Sequence, residues 1–305
     1  MEYDSVHRRT RYRHCRRRLV EDEAVDEEDC HRRTGLMLLA DLALARRLEV
    51  GVALGGLECV QTMMRLRPHS GAAAEKVAGG YALFAGSGSP LTHVLGLGMN
   101  GPVSTTELEA VEAFYRSRGE AVQIDLCPLA DSSLLDLLGQ RFYQLVEFNT
   151  VLVRPFLNTQ SFRTCSADID VRAASPVDGR LWARTVATGF LENQEITPKT
   201  LDQVDTIFAM PSGTCFLAWI NGEPAGGAAM SVCQGLVVLY ADSTLPEFRN
   251  LGVHTALIQE RCDRAIAAAC DLAVAATLPG SISQRNYERA GFRPVYTKAI
   301  LVREW

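Results

Sequence analysis

At 305 residues, 47% of them hydrophobic and with mean hydropathy near zero, the chain exceeds one typical domain and is long enough for two ordinary cores. No apolar run approaches the roughly eighteen residues that a membrane span needs, and a formal charge of −5 supplies no general attraction to nucleic acid, so neither partner is expected. Nine cysteines, odd in number and never spaced C-x-x-C, argue against a disulfide framework or a zinc site and fit a reducing cytoplasm.

Residues 1–36 stand apart. Seven arginines between Arg8 and Arg18 precede seven acids between Glu21 and Asp29, with too few apolar residues to bury a core, so the segment reads as a disordered charged extension. Met37 opens the first amphipathic pattern and would serve as a start. A helix is predicted from Met37 to about Arg67, then two strands, Gly79–Gly86 and Leu91–Gly98, around a Gly-Ser-Pro turn. Ser104 and Glu107 have capping-box spacing for a helix through Arg116. Ala121–Leu126 is a strand, Asp131–Leu138 a short helix, and Gln144–Val153 a strand.

The segment from Gly139, GQRFYQLVEFNTVLVRP, parallels RAGFRPVYTKAILVRE from Arg289. Phe142 is matched with Phe292, and Leu152-Val153-Arg154 with Leu301-Val302-Arg303. The same order of elements precedes both, which predicts an internal repeat: one domain over 37–154, a linker over 155–166 and a second domain over 167–305. In the second copy Ile169–Arg172 suits a strand and Arg180–Gly189 a helix. A further helical region over Phe190–Ile207 is broken near Thr197-Pro198. Cys215–Ile220 and Ala225–Val232 form a hairpin through Asn221-Gly222, since Asn-Gly supplies the positive φ angles of a tight turn. An edge strand then begins at Gly235 (GLVVLYAD). It feeds TLPEFRNLGVHTALI, and an apolar stripe through Val253, Leu257, Ile258, Cys262, Ala265, Ile266 and Ala269 marks a helix. Leu272–Leu278 is a short strand, and SISQRNYERAGF follows the Pro279-Gly280 break.

A strand, a tight loop and a helix start make an anion site, because the first turn has unpaired N–H groups and a partial positive charge. Gly252 lets the backbone approach a phosphate and Arg249 adds a planar cation. The spacing Arg249-x-x-Gly252-x-His254, with its Pro246-Glu247-Phe248 lead-in, resembles the pyrophosphate loop of the GCN5-related N-acetyltransferase (GNAT) family. His254 stands where that family prefers Gly or Ala, which is tolerated if the side chain points away. Asn286-Tyr287-Glu288-Arg289-Ala290-Gly291-Phe292 is similar to the family's second motif. The first copy has Gly96, Gly98 and Gly101 but no matching arginine. It reads as a degenerate domain with a structural turn there, a Gly-rich phosphate cradle being the alternative.

The resemblance implies an α/β fold of two tandem acyl-CoA N-acyltransferase-like domains, each a twisted mixed sheet flanked by helices, with the second one catalytic. It implies acetyl transfer from acetyl-coenzyme A to a primary amine of a small molecule or protein, without a metal, and is compatible with a homodimer. The cofactor-binding set would be Ser243, Thr244, Arg249, Asn250, Leu251, Gly252, Val253, His254, Thr255 and Asn286. Main-chain N–H groups near Ser243 and Thr244 would hold the oxyanion, and Asn286 would touch the pantetheine arm or cap locally. Tyr287 would protonate the leaving thiolate or pack as an ordinary aromatic. Tyr240 and Asp242 share a face by strand alternation. Asp242 is the candidate proton relay, with Glu192, Glu195 and Glu247 as further bases. A non-catalytic coenzyme-binding or interaction module is the alternative function.

Overall fold

The computed structural model describes residues 40–156, 168–191 and 195–305. The charged extension, most of the linker and Glu192 lie outside them. Residues 40–305 form one compact unit.

The first half begins with helix α1 (Leu42–Leu66), whose N-cap Asp41 accepts a 2.7 Å bond from the Leu44 N–H. Strands β1 (Ala73–Val77), β2 (Gly80–Phe84) and β3 (His93–Leu95) follow, β1 being an element that the sequence pattern did not reveal. Helix α2 (Thr105–Arg116), β4 (Val122–Leu126), α3 (Ser132–Gln140) and β5 (Gln144–Pro155) complete this half. The second half comprises β6 (Ile169–Ala173), α4 (Gly179–Leu191), α5 (Pro198–Phe208), β7 (Gly213–Ile220), β8 (Glu223–Cys233) and β9 (Leu236–Thr244). It ends with α6 (Val253–Ala267), β10 (Leu272–Thr277), α7 (Ile282–Arg289) and β11 (Arg293–Arg303). The break before α5 is real: Thr197 caps the helix and Pro198 occupies its first turn.

The strands of both halves join in one eleven-stranded mixed sheet of order β1-β2-β3-β4-β11-β5-β10-β9-β8-β7-β6. Each half hands its last strand to the other. The C-terminal β11 pairs with β4 of the first half, β5 pairs with β10 of the second, and β5 and β11 run antiparallel between them. These two strands carry the matching Leu-Val-Arg sequences, so the same alternation of apolar residues fits either slot. Helices α1, α4 and α5 lie on one face, where α1 reaches α5 through Arg67 and Asp202. The other face carries α2 and α3 over the first half and α6 and α7 over the second.

Three expectations need correction. Strand β9 is not an edge: it lies between β8 and β10, with β6 and β1 at the two edges. Phe142 does not match Phe292. Helix α3 has 9 residues against 8 in α7, so the left-handed position after the helix is Phe142 (φ 60) in one case and Gly291 (φ 87) in the other. Tyr143 N–H bonds to Leu138 O at 3.1 Å as Phe292 N–H bonds to Tyr287 O at 3.0 Å, which makes Tyr143 the counterpart of Phe292 and Leu138 that of Tyr287. Phe142 is 85% exposed while Phe292 is buried. The third correction concerns the faces of β9 and belongs to the site.

Cysteines 127, 215 and 262 are buried among apolar side chains and Cys233 is half-buried. Burial pushes the Cys215 thiol up to about 12 and the Cys127 thiol up to about 11, which suits small hydrophobes. Among the described residues no helix is long and apolar enough to cross a membrane.

Candidate active site

The loop after β9 is exposed from Arg249 to Gly252 and carries two left-handed residues, Asn250 (φ 64) and Gly252 (φ 91). Gly252 is the N-cap of α6 and offers no side-chain cap. A Cβ there would meet only Ile169 Cδ1 at 3.7 Å, so the backbone conformation rather than crowding calls for glycine. The first helical bond is Ala256 N–H to Gly252 O at 3.0 Å, which leaves the N–H groups of Val253, His254 and Thr255 without intrahelical partners. Arg249 reaches across to Gly189 O on α4 at 3.5 Å. Alternating left-handed residues, uncapped donors and the helix dipole together leave free N–H groups and partial positive charge at this exposed loop.

Beside this loop the sheet opens. Strands β9 and β10 pair in parallel only from Leu236/Leu272 to Val238/Val274 and then part, although β9 continues to Thr244. A cavity of about 310 Å³ fills the gap, walled by Val238–Asp242 on one side and Val274–Ala276 on the other. Leu48, Glu49 and Val52 of α1, Val151 of β5, Phe190 at the end of α4, Ser283 of α7 and Tyr296 and Lys298 of β11 complete it. Leu245 N–H donates to Ala225 O at 3.0 Å, so strand alternation turns the Thr244 N–H the other way, toward the edge β10 has left. The Ser243 hydroxyl is buried and donates to Val186 O at 3.0 Å, tying β9 to α4. A Cβ on Gly189 would lie 2.0 Å from that hydroxyl, which is why this crossing needs a glycine.

The pairing of β9 with β8 is interrupted between Ser243/Gly227 and Tyr240/Ala229, where β9 carries one extra residue and Ala241 adopts φ 57. This bulge overturns the alternation expected from sequence. Tyr240 packs on the α4 and α5 side, its hydroxyl 4.0 Å from Met210 Sδ, whereas Asp242 turns to the α6 and α7 side. There Asp242 receives the Tyr287 hydroxyl at 2.6 Å and a charge-assisted bond from the fully buried Arg261, and lies 3.3 Å from His254 Nε2. Arg261 also donates to Leu257 O (3.0 Å), Ala229 O (2.9 Å) and Tyr240 O (3.3 Å). Burial alone would raise the Asp242 pKa, but the Arg261 charge, with His254 and Tyr287, holds the carboxyl well below its usual range. Burial and the Asp242 charge together raise Tyr287 well above the ordinary phenol value.

His254 turns inward from the exposed loop, as the tolerance of a larger residue there requires. Its Nδ1 is 3.1 Å from Asn286 Nδ2 and its ring meets Tyr287 edge to face at 5.5 Å, so it is a strut of the buried network. Asn286 therefore holds His254, and also receives Arg289 at 3.4 Å. The structure thus brings together Asp242, His254, Asn286 and Tyr287. Glu195 and Glu247 do not line the cavity. Sequence reasoning missed Arg261, Glu49 and Lys298. The one available signal was Lys298, one of three lysines in the chain and set in an apolar strand.

A parallel strand pair that splays beside a glycine-started, uncapped helix, in a mixed sheet flanked by helices, is the fold of the acyl-coenzyme A-dependent N-acyltransferases. Residues 184–292 match the model of the acetyltransferase (GNAT) family. Solved structures agree in fold. A GCN5-related N-acetyltransferase from Kribbella flavida superposes with TM-score 0.61 at 16% identity, covering 83% of this chain and 95% of that one. A tandem GNAT protein from the clavulanic acid biosynthesis pathway gives TM-score 0.56 at 13% identity, covering 81% and 87%. A GCN5-related N-acetyltransferase from Sphaerobacter thermophilus gives 0.53 at 18%, covering 66% and 67%. No curated protein matches the sequence.

Proposed function

We propose that the second half transfers an acetyl group from acetyl-coenzyme A to a primary amine. The observation that carries this reading is the splay of β9 from β10 directly beside the uncapped start of α6. The pyrophosphate would rest on the N–H groups of the loop from Asn250 to Thr255, with Arg249 alongside, and the pantetheine arm would enter between the parted strands. The neutral amine nitrogen attacks the thioester carbon and gives up its extra proton to water, the Thr244 N–H supports the oxyanion, and the C–S bond breaks to release a thiolate. Tyr287 is the proposed proton donor to that thiolate. Asp242 orients the Tyr287 hydroxyl, its carboxylate being engaged by that hydroxyl and by Arg261.

One observation favours a second reading, a coenzyme-binding module without turnover: Tyr287 is only 1% exposed and its hydroxyl is already donated to Asp242. The test has two stages. Acetyl-coenzyme A should raise the melting temperature of the parent and leave a Gly252→Asp variant unmoved. Thiol release with a panel of amines then separates the readings: a shift with turnover supports the transferase, a shift without it supports the module, and no shift in either protein sinks both.

A further inference from the structure

The cavity wall contains a pair that the acetyl-transfer chemistry described above does not use. Lys298 Nζ of β11 lies 2.9 Å from Glu49 Oε2 of α1, with the two side chains 4% and 1% exposed. The Tyr296 hydroxyl donates to Glu49 Oε1 at 2.7 Å. Burial pulls the Lys298 pKa down, but the Glu49 and Asp125 carboxylates more than offset this and leave it raised, so the ammonium is kept. Asp125 acts on Lys298 from β4 and is itself 3.3 Å from His93 Nδ1. Glu49 comes from the first half and Lys298 from the exchanged strand, so the cavity is incomplete without both halves.

We propose that the acceptor is an α-amino acid with an apolar side chain, its ammonium on Glu49 and its carboxylate on Lys298. This rests on the acetyl-transfer reading for its chemistry but not for its binding site. The argument is charge complementarity. The cavity carries two carboxylates, and each is matched internally, Asp242 by Arg261 and Glu49 by Lys298. A polycation therefore finds no net negative charge to attract it. A simple amine takes Glu49 only by competing with Lys298 and leaving that buried cation with the Asp125 charge alone, which is costly. A zwitterion gives each member of the pair a new partner of opposite sign and leaves no charge alone. The remaining lining is largely aliphatic, with Leu48, Val52, Val151 and Val274 facing the space. A volume of about 310 Å³ is at the small end for ligand sites, which suits a single residue and not a peptide.

The test uses the full chain, calorimetric binding without acetyl-coenzyme A, and thiol release with it. The probes are leucine against 3-methylbutylamine, phenylalanine against 2-phenylethylamine, and spermidine. Each amino acid should exceed its matched amine about tenfold or more in affinity and in kcat/KM, as a charge-assisted bond warrants. Lys298→Met should erase that preference by weakening the amino acid alone. Because splitting a buried pair can unfold the protein, Glu49→Gln/Lys298→Met is the second variant: it should bind acetyl-coenzyme A as the parent does and lose amino-acid binding. Matched amines that bind as well as the amino acids, leucine binding unchanged in the double variant, or no binding by any probe while acetyl-coenzyme A binds would each overturn the proposal. Lys298-dependent amino-acid binding without any acetyl-coenzyme A response would leave this site standing and remove the transferase reading.

Discussion

Helices α2 and α6 begin at corresponding places in the two halves, each after a strand that pairs in parallel with the next, yet they treat their free N–H groups in opposite ways. At α2, the Ser104 hydroxyl accepts from the Glu107 N–H at 3.2 Å, and the Glu107 carboxylate accepts from the Ser104 N–H at 2.8 Å. The first half thus supplies its own anion, held low in pKa by the Ser104 backbone and hydroxyl. At α6, Gly252 brings no side chain, and the donors remain for a ligand. The helix ends differ similarly, with Tyr287 bonded to Asp242 in one half and Leu138 at the matching position in the other. The same packing thus accommodates one helix start capped by its own side chains and one left uncapped.

The comparison breaks most severely at the Asp242–Arg261 pair, which the first half lacks. Arg261→Met should cost about 3–5 kcal/mol, because it strands a buried carboxylate, and urea titration reads this directly. The pH dependence has a definite sign. A depressed carboxyl stabilises fully above its unfolded pKa of about 3.9, and loses that contribution as pH falls through the lower folded value. The acid limb of a stability titration should therefore flatten in Asp242→Asn.

Next comes the open helix start. Acetyl-coenzyme A at a hundred times its dissociation constant should add about 2.7 kcal/mol to the parent, and Gly252→Asp should remove that gain by strain and charge repulsion. Tyr287→Phe should lower kcat about a hundredfold with coenzyme affinity kept. Unchanged kcat would assign the proton donor elsewhere, among the hydroxyl residues that line the cavity, Tyr240, Ser283 and Tyr296. The smallest effect belongs to the closed site. Ser104→Ala should cost about 1 kcal/mol of stability and leave the acetyl-coenzyme A shift untouched. A changed shift would mean that the first half also binds coenzyme.

Much of the architecture was legible along the chain, because helices and strands follow from local periodicity, the cap at Ser104 from its spacing to Glu107, and the break before α5 from Thr197-Pro198. The phosphate loop was legible for the same reason: its chemistry is carried by consecutive main-chain groups, so spacing alone exposes it. The wall of the cavity was not. Glu49 and Lys298 are 249 positions apart in sequence and meet only because β11 crosses into the first half.

By itself the sequence determined most of the order of elements, the open helix start at Gly252 and the resemblance to acetyltransferases, all of which depend on residues close together in the chain. Only the tertiary structure decided that the halves exchange their last strands, since two strands of like pattern fit either slot and their neighbours choose between them. It alone turned Asp242 to the far face, because an extra residue in one strand reverses alternation without any mark in the sequence. It also decided that His254 braces Tyr287 inside the protein, since the direction of a side chain is set by partners that local spacing does not name.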